Sequence, residues 1–138
     1  MSSIDDFFEE YRTTFARYDA DALAALFAFP FQAVSATDDG AAITASATVD
    51  EWRPVLEGLL GMYRTLGVAE GEPLQLHSTE LTEQTGSARV HWQLRRDDGS
   101  TIYEFTAVYT LARVNGAWRV AGIVHDELPK LQAALASA

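Results

Sequence analysis

Cysteine is absent from the 138 residues, which excludes a disulfide framework and any thiolate metal site. Basic residues are scarce: ten Lys and Arg stand against twenty Asp and Glu, a formal net charge of −10. Such a chain repels phosphate backbones and anionic lipid, so neither nucleic acid nor a membrane is an expected partner. No apolar run nears the roughly 20 residues a spanning helix needs. Met1 to Asp6 offers neither a basic nor an apolar leader, so a cytoplasmic location is expected. Linkers, internal repeats and low-complexity tracts are missing too, and residues 1–138 read as one domain. What is present is an ordinary globular composition, 48% hydrophobic and 22% charged.

Three helices come first. Ile4, Phe7, Phe8, Tyr11, Phe15 and Tyr18 recur at steps of three and four, one apolar stripe with Ser3 and Asp6 as a capping box. Asp19 or Asp21 caps a second, short helix through Leu23, Leu26 and Phe27, which Pro30 ends. Residues 31–36 then read as a short strand, with Asp38-Asp39-Gly40 turning it back through residues 41–45. Thr48 and Glu51 box the third helix, whose face is Val49, Trp52, Leu56, Leu59, Tyr63 and Leu66. Pro54 lies too deep for its first turn, which predicts a kink or a later start, and Gly67 ends it.

From Leu74 the period becomes two. Ala88, Val90, Trp92 and Leu94 form one inward set; Tyr103, Phe105, Ala107, Tyr109 and Leu111 form the next. Trp118, Val120, Gly122 and Val124 form the last. Asp97-Asp98-Gly99 and Asn115-Gly116 are hairpin turns between them. The first pair of acids lacks the rest of a calcium loop. Asp126 to Leu135 closes the chain as a short helix with Pro129 in its first turn. Helices followed by long antiparallel strands make an α+β layer: a strongly bent sheet, paired in sequence order from Leu74 to His125, under helices 1 and 3.

This order of elements resembles the nuclear transport factor 2-like (cystatin-like, SnoaL-like, ketosteroid-isomerase-related) superfamily from about Ile4 to about Leu131. The resemblance is carried by the Tyr11-to-Asp19 helix end, the Ala22-Leu23-Ala24-Ala25-Leu26-Phe27 helix, the Thr48-to-Gly67 helix and the Gly116-Ala117-Trp118-Arg119-Val120 strand. It implies a conical half-barrel, a strongly curved antiparallel sheet covered by three N-terminal helices around an apolar pocket. Isomerases, cyclases, dehydratases, epoxide hydrolases and silent binding domains share that fold, and fold alone does not choose among them. Against the ketosteroid-isomerase pattern, Tyr11 and Asp19 keep the spacing of eight. Ser35 and Thr37 stand where the general-base Asp belongs, and Tyr109 is nearest the second donor. The Asp-Arg-Asp set of epoxide hydrolases finds no match.

Candidate site residues follow. Tyr11 and Tyr109 are two phenols expected to approach one ligand oxygen across the cone, a donor pair that favours phenols and other flat oxygenated ligands. His125, at the end of the last strand, joins them as the candidate for proton transfer if that strand bulges; its neighbour Asp126 is expected to cap the last helix. Trp52, Tyr63, Trp92, Tyr103 and Phe105 are the expected ligand-binding walls. His77 and His91 share parity on neighbouring strands but lack metal-ligand spacing, so neither a metal nor a cofactor is expected.

The function these residues point to is binding of a small apolar or aromatic oxygenated molecule, with isomerase-, dehydratase- or cyclase-type chemistry as its enzymatic version. The alternative is a non-catalytic dimeric structural or interaction module with a filled core. Either is expected to be a homodimer through the convex sheet face, where His77, Arg89, His91, Gln93, Glu104, Thr106, Val108, Thr110 and Ile123 mix apolar and pairing groups. The resemblance implies the same face.

Overall fold

The computed structural model describes residues 2–138. Helix α1 (Ile4–Ala16) opens as the sequence indicates: the Ser3 hydroxyl accepts from the Asp6 N–H while the Asp6 carboxylate accepts from the Ser3 N–H. The helix stops two residues short of Tyr18, whose φ of 55° places it in the turn.

Asp19 caps α2 (Ala20–Ala24) by accepting from the Ala22 N–H. This helix is shorter than its apolar spacing predicts, and Pro30 does not end it. Phe27 already opens strand β1 (Phe27–Thr37), with Pro30 inside the strand. The reason is tertiary: Phe27 pairs beside Val120 and is buried against Phe31 and Trp52, and that packing overrides a weak helical pattern. Strand β2 (Gly40–Ser46) returns antiparallel to β1.

Helix α3 (Val49–Leu66) starts at Thr48, whose hydroxyl accepts from the Glu51 N–H; Glu51 reaches back to the Ala47 N–H rather than to Thr48. Pro54 lies inside the helix, so the later start does not occur. Gly67, at φ 75°, ends it in the left-handed region that favours glycine.

Strands β3 (Glu70–Glu80), β4 (Thr85–Arg95), β5 (Thr101–Val114) and β6 (Ala117–His125) follow, then helix α4 (Glu127–Ala136). The six strands form one curved, unclosed sheet in the order β2-β1-β6-β5-β4-β3. The sequence-order pairing from β3 to β6 is as expected. The β1–β6 pair is parallel, which no local pattern announced. Helix α1 lies over β3, α2 packs on α3, and α4 lies against β5 and β1.

The concave face carries the core. Val90, Trp92, Phe105, Tyr109 and Leu111 are buried on it at the anticipated parity. Strand β6 departs from that parity. Leu111 pairs with Val120 but Thr110 pairs with Gly122, so Ala121 bulges out of register and every later residue changes face. Val124, expected inside, is 57% exposed, whereas Ile123 and His125 turn toward the interior.

Candidate functional site

The mouth of the cone is not filled. A cavity of about 110 Å³ remains between the sheet and helices α1 and α3. A cavity of about 150 Å³ accepts benzene, so the space here is on the scale of a single ring. Aromatic side chains dominate its walls. Its open side is marked by the half-exposed Arg12, Tyr18, Ala69 and Glu70. The rim charges are paired: Arg12 Nε donates to Glu9 at 3.0 Å, and Arg95 Nη2 donates to Glu70 at 2.8 Å and to Glu72.

Inside, polar groups gather at two places. At the first, Trp92 Nε1–H donates to the Tyr109 hydroxyl at 2.8 Å, and the Tyr11 ring lies edge-on to Tyr109 with centroids 5.7 Å apart. Burial pushes both phenols above their ordinary range, so both keep their protons and serve as donors.

The second gathers on Glu127, the first residue of α4, only 8% exposed. The hydroxyls of Tyr63 and Tyr103 both donate to its Oε2, that of Tyr103 at 2.7 Å. Oε1 has no protein donor among the described residues. Burial raises the Glu127 pKa, and the two phenolic hydrogen bonds oppose that rise. The N-terminus of α4 also favours the anion. Its negative charge is felt across the site, since it helps to raise Tyr11, Tyr63, Tyr103 and Tyr109.

The head of α4 is held from the sheet. His125 Nδ1 accepts from the Glu127 N–H at 3.1 Å and Ser35 Oγ accepts from the Leu128 N–H at 3.4 Å. Residues 35 and 125 are themselves register partners across the parallel pair. An acceptor at Nδ1 leaves the imidazole proton on Nε2, and burial lowers the His125 pKa, with Asp126 opposing. Asp126 makes no cap. Its carboxylate accepts from the Thr106 N–H at 2.8 Å and from Lys130 at 3.4 Å, because the strand-end geometry aims it at β5. The expected Asp126 cap is thus replaced by His125 and Ser35.

Of the residues singled out in the sequence, Tyr11, Tyr109, His125, Trp52, Tyr63, Trp92 and Phe105 all line the cavity. Tyr103 does not. It lies beside a surface cleft near Arg96 and Lys130 and meets the site through its bond to Glu127 and its packing against Phe105. His77 and His91 do not meet: His77 pairs with Arg89, while His91 bonds Glu104 and Thr106. Among the described residues no three His, Asp or Glu side chains converge as a metal site. Glu127, on helix α4, was not among the residues singled out in the sequence. An acid in the first helical turn is ordinarily a dipole partner facing water; only the β6 bulge, invisible in composition, turns this one inward.

A family profile described as NTF2-like protein (DUF6841) matches residues 2–128. The chain belongs to this family. Among solved structures, an NTF2-like protein with a cystatin-like fold from Novosphingobium aromaticivorans superposes with a TM-score of 0.68 at 20% identity, covering 96% of this chain and 84% of that one. An NTF-2-like protein of unknown function from Shewanella oneidensis gives 0.68 at 13% identity, over 89% of this chain and 95% of that one. A candidate scytalone dehydratase from Novosphingobium aromaticivorans gives 0.61 at 16%, over 88% and 79%. At these identities the NTF2-like domain shares their fold. A search of curated protein sequences finds no match. No helix among the described residues is long and apolar enough to cross a membrane.

Proposed function

We propose that this NTF2-like domain binds a small, mostly apolar molecule of about one ring inside the cone, with its polar group toward Glu127. The observation that carries this is the unfilled aromatic cavity, in whose lining Glu127 stands with one carboxyl oxygen that has no protein donor among the described residues. In the enzymatic version, isomerase-, dehydratase- or cyclase-type proton transfer, Glu127 Oε1 takes or gives the proton and the Tyr11–Tyr109 pair donates to a ligand oxygen. Likeness to a candidate scytalone dehydratase is in keeping with that version. An NMR titration with benzyl alcohol and 4-methylphenol, read at the indole N–H signals of Trp52 and Trp92, tests the binding. Saturable shifts that disappear in Leu56→Trp, which fills the cavity, are expected. Failure to saturate at millimolar ligand would leave only a filled core.

A second reading, compatible with the first, is a homodimer through the convex face. Register partners Ile43, Val34, Val124 and Val108 form an apolar row across four strands, and Ile43 and Val124 are 66% and 57% exposed. A self-complementary interface of at least about 1,000 Å² would cover that row. Light scattering should give twice the 15.1 kDa chain mass; a monomer at high micromolar concentration refutes it.

A further inference from the structure

We infer that the ligand of this cavity is a small organic cation: a protonated primary or secondary amine carried on an apolar body of about one ring. The inference rests on the reading of the cone as a ligand cavity and names the chemical class that its interior selects.

The walls supply the first reason. Phe27, Phe31, Trp52, Trp92 and Phe105 line the space, and the face of an aromatic ring attracts a cation. Glu127 supplies the second. It is the one acidic group deep in the lining, and the lining holds no buried cation to match it. Arg12 stands at the rim, committed to Glu9, and His125 uses Nδ1 as an acceptor, which a neutral ring does. Tyr63 and Tyr103 occupy Oε2, so an ammonium N–H donated to Oε1 supplies the missing hydrogen bond and the countercharge together. The Tyr11 and Tyr109 oxygens are further acceptors for the remaining N–H groups.

The same groups disfavour the alternatives. A phenolate or carboxylate would meet the Glu127 charge at low dielectric, where like charges repel strongly. A neutral ligand leaves the buried carboxylate without a counterion. The net charge of −10 also draws cations toward the protein and drives anions away.

Three probes with one ring and nearly one shape decide the matter: benzylamine, benzyl alcohol and benzoate, titrated calorimetrically into the full chain near neutral pH. Benzylammonium is expected to bind about tenfold or more tightly than benzyl alcohol, and benzoate not saturably. In Glu127→Gln, verified as folded by its circular dichroism melt, the advantage of the amine over the alcohol should fall several-fold, leaving only what the aromatic walls contribute. Should that variant not fold, the ranking on the unaltered protein still decides. Benzyl alcohol or benzoate binding as tightly as the amine, or an amine preference undiminished in Glu127→Gln, overturns the inference while the cavity reading stands. Binding of none of the three overturns both.

Discussion

A carboxyl group drawn into an aromatic cone from the first turn of a helix is pulled two ways, and its neighbour His125 is pulled as well. The Glu127 pKa is raised above its ordinary 4.5, chiefly by burial. The unfolded chain therefore loses this proton at lower pH than the folded one. The stability this group contributes is full below 4.5 and is lost as pH rises through the folded value. His125 is lowered from 6.5, again chiefly by burial. Its contribution is full above 6.5 and is lost as pH falls toward the folded value. Glu127→Gln removes the first dependence and leaves the second. Relative to the unaltered protein its melting temperature should rise by roughly 2–5 °C between about pH 4 and pH 8, measured in ligand-free buffer. A difference that stays constant with pH would show that Glu127 titrates as it does in water. Trp92 is the other residue that bears directly on the site, 4% exposed and bonded to Tyr109. Trp92→Asp should cost about 3–5 kcal/mol by leaving a buried charge unpaired, read from urea denaturation; wild-type stability would place Trp92 outside the core.

Among the elements, β6 decides the character of the interior. Its first half keeps the alternation of the sheet, and the bulge at Ala121 then exchanges the two faces. Inserting one alanine after Gly122 slips the end of the strand by one residue, which sends Ile123 and His125 outward and drives Val124 into the space they leave. His125 could then no longer accept from the head of α4, and Glu127 would lose its place. The expected loss is roughly 2–4 kcal/mol, together with loss of all ligand binding; a fully stable insertion would mean that the register after the bulge is incidental. This element also marks how far the sequence could be read. Alternation made Trp92, Phe105 and Tyr109 legible as inward residues, and the caps at Ser3, Asp19 and Thr48 were legible from local chemistry. The β6 bulge was not, since one extra residue in a strand leaves no trace in the apolar pattern. The Phe27 strand was hidden for a related reason: its β conformation is imposed by the distant Val120. Both unseen features lie on or against β6, and Glu127 follows directly on that strand, so local pattern did not mark the acid as facing inward.

At the scale of the whole molecule, the two sheet faces divide the work. The concave face, with the helices, encloses the aromatic cavity; the convex face sets the Ile43-Val34-Val124-Val108 row against Arg89 and His77 at its far end. A charge placed in that row should act on association and not on the fold. Val124→Glu is expected to convert a dimer to a monomer in sedimentation while shifting stability within about 0.5 kcal/mol per chain, as an exposed substitution does. Retention of the dimer would move the interface elsewhere.

The bond from the Leu128 N–H to Ser35 Oγ joins positions 93 apart in the chain, and this separation governs the order in which the molecule can assemble. The β3–β4–β5 meander closes through short hairpin loops and can gather without help from either end. The parallel pair must wait for a long loop to close, at an entropic cost that local contacts do not offset beforehand. Closure of the β1–β6 pair is therefore expected to come late in folding, and it brings Phe27 and Phe31 to the cavity. A chain in which that pair has not closed lacks Phe27 and Phe31, two walls of the cavity.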